Sequence, residues 1–263
     1  MNTMSYLLYA ALIFYFLSLF SGAFSRLTVK KTSGGFSKAA VIAGIIFHTF
    51  SLAMRMYLTG HAPMASVYET LIFYSWATVL VSVIVILRYN ERVTGLITVP
   101  VAMIALVFAF FNEAPIGPLN IILRTRWFEA HVIASFAAYA LFTLAFSAAA
   151  VYLYYDFTAK GDSELKKFQD IANRSVLWGF LFFSASMFSG AVWGYLAWGA
   201  YWLWEPKVIW SFIVWFYYAG AMHAYYVSEW KGRGLSIATV IGFFVVLFTY
   251  LGVGLLMKSS HNF

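Results

Sequence analysis

Cysteine is absent from the 263 residues, which excludes disulfides, a thiolate nucleophile and a CxxCH motif carried by this chain itself. Charge is scarce as well. Charged residues make up 10% of the chain and hydrophobic ones 63%, whereas a soluble domain carries about 25% charged residues. Water is therefore not the main solvent. The opening "MNTM" is charge-free, and no basic segment or small-residue cleavage site marks a secretory signal, so the apolar run from Ser5 is expected to be a retained span. No period of about 20–50 residues repeats and no long linker divides the chain, so residues 1–263 are expected to form one domain.

What is present is a series of apolar runs, each long enough to cross a hydrocarbon layer of about 30 Å. Eight spans are expected, at about 5–24, 39–58, 68–87, 95–112, 127–154, 176–196, 207–228 and 235–257. The fold class is all-α, a polytopic transmembrane helical bundle. The net charge of +7 is distributed unevenly. Arg26, Lys30, Lys31, Lys38, Arg88, Arg92, Lys160, Lys166, Lys167, Arg174, Lys231 and Arg233 fall on one face, and only Arg55, Arg124, Arg126, Lys207 and Lys258 on the other. That asymmetry is the positive-inside bias, placing both termini on the outer, periplasmic-type face. Basicity thus sets orientation, and no nucleic-acid partner is expected. In the longest inner loop, Leu165, Phe168 and Ile171 recur every third residue among charged neighbours, which predicts a short amphipathic helix on the inner membrane surface.

The outer loops are the unusual ones. "WGAYWLWEPKVIW", residues 198–210, holds four tryptophans, one acid and one lysine, and six of the ten tryptophans (Trp193, Trp198, Trp202, Trp204, Trp210, Trp215) fall between 193 and 215. An interfacial belt would spread aromatics over both faces; here they crowd one loop. Indoles stack well on a flat macrocycle with few rotors to freeze, and Lys207, Arg124 or Arg126 offers a cation for its carboxylates. His131 and His261 lie on either side of this loop in sequence and are expected at the same face. A lone interfacial histidine is usually an anchor, but the two together suit the axial positions of a macrocycle-bound metal. His48 and His223 lie inside spans, where ionisable groups are costly and usually functional. At 1.5 Å per residue, His48 sits about 15 Å from either face and His223 about 24 Å from the outer one. Shifting the span boundaries by roughly 2–4 residues covers most of that mismatch. His61, in an outer loop, reads equally well as a solvated residue.

"WGAYWLWEPKVIWSFIVW" resembles the tryptophan-rich WWD signature of the haem-handling proteins of cytochrome c biogenesis. "HTFSLAMRMYLTGHAPMASVYETLIFYSW", "WFEAHVIASFAAYALF", "MHAYY" and "YLGVGLLMKSSH" are similar to further segments of the CcsA/ResC family, and the resemblance covers about residues 39–263. The resemblance implies that His131 and His261 ligate haem b iron at an outer site formed by Trp193, Trp198, Trp202, Trp204, Glu205 and Lys207. It also implies that His48 and His223 ligate haem within the membrane. The implied function is moving or presenting haem to the outer face and delivering it to apocytochrome c, where thioethers form at CxxCH. The implied setting is the bacterial inner membrane, beside a CcsB/ResB-type partner and within a cytochrome c synthase (haem lyase) complex. No catalytic residue is singled out. The family's Trp-Asp-Pro-Lys-Glu reads Trp204, Glu205, Pro206, Lys207, Val208 here, and its Asn-Glu pair is replaced within Gly194, Tyr195 and Leu196. Two other readings remain open at this point: a dihaem subunit for quinol-linked electron transfer, and a divergent haem-binding scaffold.

Overall fold

The computed structural model describes residues 3–27, 33–117, 119–227 and 230–257. Among them the regular structure is helical and no strand occurs. The helices are α1 (Thr3–Leu27), α2 (Ser33–Thr59), α3 (Val67–Tyr89), α4 (Gly95–Phe110), α5 (Arg126–Phe157), α6 (Asp162–Trp198), α7 (Pro206–Ala224) and α8 (Arg233–Leu247). A 3₁₀ turn, Ile121–Leu123, precedes α5, and α8 continues through a π segment, Phe248–Gly252, into a last turn, Val253–Leu256. Six helices are long and apolar enough to span a membrane: α1, α2, α3, α5, α6 and α8 with its continuation. The other two expected spans, α4 and α7, fall outside that set. The 16 residues of α4 rise about 24 Å, and α7 opens with Lys207 and closes near His223. Phe16, Phe50, Phe216 and Phe244 are each more than half exposed, as a lipid-facing surface requires.

The chain forms two compact units, Met1–Ile121 and Ile122–Phe263. In the first, α1 and α2 are joined by polar contacts along their length. Ser51 Oγ donates to Met4 O at 3.1 Å, and Ser18 and Ser37 each donate to the other's carbonyl at 2.8 Å. Where α2 ends and α3 begins, Arg55 Nε donates to Glu69 Oε1 at 2.9 Å, and both side chains are almost fully buried. Glu69 Oε2 accepts from Ala65 N at 2.7 Å, while Ser66 caps α3 by accepting from Glu69 N. The Arg55 guanidinium also donates to Ala114 O at 3.2 Å and lies 5.2 Å from the Tyr68 ring centre. Each buried charge is thus hydrogen-bonded, which such burial demands. The pair fastens the loop after α4 to the α2–α3 corner.

In the second unit, Ala138, Ala140, Ala145 and Ala148 of α5 are fully buried, and small side chains let helix backbones approach closely. Phe142 stacks on Tyr218 of α7 with centres 3.8 Å apart, joined by Phe183, Val214 and Val246. The 37-residue α6 merges the expected 176–196 span with the expected separate amphipathic helix. No glycine or proline interrupts it between Asp162 and Gly179, so nothing breaks the backbone ladder. Phe168 and Ile171 do face inward, but Phe168 packs edge-on against Tyr155 of α5, 5.2 Å away. The apolar stripe is covered by protein.

Candidate functional site: an aromatic cavity holding His131

The start of α5, the end of α6 and the start of α7 enclose a cavity in the second unit. Thr125 caps α5, its hydroxyl accepting from Phe128 N at 3.1 Å. That fixes the first turn, and His131 follows on the face turned toward α6. Its Nδ1 lies 2.8 Å from Ser186 O and 3.2 Å from Ser186 Oγ. A carbonyl can only accept, so Nδ1 carries the proton and the lone pair resides on Nε2. Metal-binding histidines are commonly oriented in this way. Ser135 Oγ, which donates to His131 O at 2.7 Å, is also hydrogen-bonded to Ser186 Oγ. The close approach depends on Gly190: a Cβ there would lie 2.5 Å from His131 Nδ1.

Trp193, one turn beyond Gly190, is fully buried and donates from Nε1 to Ile122 O at 2.9 Å. Its ring lies nearly parallel to His131 at 6.1 Å and meets Trp198 edge-on at 4.9 Å. Beyond Trp198, residues 199–205 cross to α7, where Pro206 occupies the first helical turn and its missing N–H costs nothing. The cavity so formed measures about 700 Å³ including its open mouth, and His131, Tyr139, Trp193, Trp198, Trp202 and Lys207 are among its lining. Lys207 is half-buried in the field of Glu205, and its ammonium makes no hydrogen bond or ion pair among the described residues.

The tryptophan cluster divides. Trp193, Trp198 and Trp202 line the cavity. Trp204 is 71% exposed and stacks on Phe212 at 5.7 Å. Trp210 packs on Phe248 at 4.5 Å, and Trp215 donates to Ser184 Oγ at 2.9 Å. Glu205 sits at the N-cap of α7, outside the lining. His261 and Lys258 lie outside the described residues.

The remaining histidines sit elsewhere. His48, in the first unit, is fully enclosed, with Nδ1 3.1 Å from the Tyr15 hydroxyl. Its Nε2 is buried without a well-formed hydrogen bond among the described residues. His223, in the second unit, is exposed on α7, with Nδ1 2.7 Å from Ala219 O. His61 Nδ1 lies 2.8 Å from Ala62 O in its own turn. Among the cavity residues that sequence reasoning missed are Ser186, Gly190, Tyr139 and Ser211. For two of them a signal existed, since Ser186, Gly190 and Trp193 lie at i, i+4 and i+7 and share one helical face.

Fold and site together define an integral membrane helical protein that presents a histidine in an aromatic-walled cavity. The chain matches the family described as "Cytochrome C assembly protein" over residues 64–261. It belongs to that family, whose work is cytochrome c biogenesis. It is 29% identical to the cytochrome c biogenesis protein CcsA of Prochlorococcus marinus strain MIT 9515, covering 96% of this chain and 91% of that protein. It is 30% identical to the CcsA of Mesostigma viride, over 84% of each. Among solved structures it is similar to the cytochrome c haem lyase CcmF, with a TM-score of 0.73 and 16% identity. That match covers 98% of this chain but 47% of the other. This chain therefore spans about half of that structure, and the likeness is one of fold.

Proposed function

We propose that the cavity receives haem b and presents it at the outer membrane face to apocytochrome c bearing CxxCH. The observation that carries this reading is the arrangement of His131: Nδ1 toward the Ser186 carbonyl, Nε2 with its lone pair, in a cavity walled by indoles and entered by a lysine. The residues present suit the cargo. Imidazole is the commonest protein ligand of haem iron, indole faces suit a porphyrin, and the Lys207 ammonium is a partner for a propionate. His131 would hold the iron on one side, and His261 is proposed for the other. Haem supplies the vinyl groups to which cysteine thiols add. This chain's part is to hold and orient it, keep water from its face, and leave an edge open to the acceptor.

His48 and His223 are proposed to serve haem within the membrane, with Trp204 and Glu205 shaping the outer rim. The two units are proposed to act as one haem-handling domain with eight crossings and both termini outside. The setting is a bacterial inner membrane, alongside a CcsB/ResB-type partner in a cytochrome c synthase complex. The charge asymmetry of the loops supports the orientation, and the family supports cytochrome c as the acceptor. The test is the haem-to-protein ratio and absorption spectrum of the purified chain, with and without His131→Ala. A dihaem electron-transfer subunit would retain its haem in the presence of apocytochrome c and oxidise quinol. A delivery protein gives haem up.

A further inference from the structure

At the end of the first unit opposite the Arg55–Glu69 pair, α1 finishes, α2 begins, α3 finishes and α4 begins. A recess of about 660 Å³, open mouth included, lies among these four termini. Arg26 from α1, Lys38 from α2 and Arg92 from the α3–α4 turn all line it. None of the three has a hydrogen-bond or ion-pair partner among the described residues. No acidic side chain belongs to the lining. The nearest acid in sequence, Glu91, is buried and does not line the recess, and its carboxylate accepts from Val93 N.

The positive-inside rule accounts for basic residues in the loops at this end. It does not account for three cations from three segments converging on one recess. Like charges brought together repel, and although solvent screens exposed groups, an anion seated among these three is stabilised by all of them. The hydroxyls of Ser18 and Ser37 are spent on each other's carbonyls, which leaves the guanidiniums and the ammonium as the donors available to a ligand. Two planar guanidiniums match the oxygens of a phosphate group. The first residues of α4, Gly95 and Leu96, also line the recess, and a helix N-terminus adds favourable potential for an anion. Deeper in, Leu19, Val41, Ile86 and Val99 make the wall apolar. No aromatic side chain or histidine belongs to the lining, so porphyrin is not the ligand it suits.

We infer that this recess is a phosphate-binding site, held by Arg26, Lys38 and Arg92 and separate from the His131 cavity. Its ligand is a phosphate group, carried by an anionic lipid or free in solution. Basic recesses between transmembrane helices on the basic-rich face bind such headgroups. The inference does not depend on haem handling.

The test uses the full-length chain in nanodiscs. In one arm the nanodiscs contain phosphatidylcholine with a minority of phosphatidylglycerol, and native mass spectrometry counts the lipid retained after mild delipidation. In the other arm the lipid is phosphatidylcholine alone, and inorganic phosphate is titrated. Each cation near an anionic lipid contributes about fivefold in affinity. The variant with Arg26→Gln, Lys38→Gln and Arg92→Gln together should therefore weaken retention by about a hundredfold in the arm that binds. Retention of phosphatidylglycerol by the wild type identifies a lipid site; binding of inorganic phosphate alone identifies a soluble ligand. If the triple variant does not accumulate, Arg92→Gln should weaken binding about fivefold and Arg92→Lys should restore part of it. Equal retention by wild type and variants, or no binding in either arm, overturns the inference.

Discussion

His48 and His131 are both helical histidines packed against a neighbouring helix, yet their surroundings differ in kind. Each occupies a position where a glycine makes room. A Cβ on Gly190 would lie 2.5 Å from His131, and one on Gly44 would lie 2.5 Å from the Tyr15 ring that reaches His48. The partner of His131 is a backbone carbonyl, which can only accept and so settles the tautomer. The partner of His48 is a phenol hydroxyl, which can donate or accept and leaves the proton's position open. His131 borders a cavity, whereas His48 is completely enclosed. The two histidines therefore suit different proposed roles, His131 at an open cavity and His48 among packed helices. A fixed tautomer at the border of a cavity is what singles out His131 as the proposed outer ligand.

The largest expected effect comes from removing both histidines proposed to hold haem at the outer face. His131→Ala with His261→Ala should lower holocytochrome c formed per membrane-inserted molecule by more than about a hundredfold. Loss of a ligand exceeds the roughly 10–100-fold typical of its supporting residues. Gly190→Ala isolates the supporting geometry. It keeps every ligand but drives a methyl into the imidazole, so the same ratio should fall by about 10–100-fold. Haem titration of the purified variant should show matching weaker binding.

Trp202 and Trp204 offer a finer division within one loop. An aromatic stacking contact is worth about 0.5–1.5 kcal/mol beyond buried area, so Trp202→Ala should weaken haem retention by about two- to tenfold. Trp204→Ala, at an exposed position outside the cavity lining, should lower the ratio by less than about twofold, below the range set by a full stacking contact. Gly44→Ala is expected to act chiefly on stability. It overpacks the Tyr15–His48 contact and should cost about 1–3 kcal/mol of stability, lowering abundance in a thermal-denaturation or expression assay. Haem at the His131 cavity, counted per folded molecule, should not change. A loss there equal to that of Gly190→Ala would erase the contrast between the two histidines.

The sequence makes the helical membrane architecture legible because lipid leaves the backbone few alternatives. It also points to the right loop, since rigid aromatics at that density are unusual wherever they occur. What it cannot divide is the aromatic cluster itself. Trp202 and Trp204 are two residues apart, and only the path of residues 199–205 turns one inward and the other out. The merging of two expected segments into α6 follows from the absence of a breaker after Asp162, a local signal that was available. The Ser186 carbonyl is a different matter. Backbone groups carry no sequence identity, and its pairing with His131, 55 positions away, comes only from the packing of α5 on α6. The Arg55–Glu69 pair is similar: both residues read as outer-face charges, while their burial arises where two helix ends meet.

His131 is proposed to be a haem ligand held by Ser186, and the most direct measurement is chemical rescue. His131→Gly, purified without added ligand, should show a lower haem-to-protein ratio and an altered haem absorption band. Added imidazole should fill the vacated position and restore both. A wild-type ratio and spectrum in His131→Gly before any imidazole is added would contradict the account, because the histidine would then be packing and nothing more.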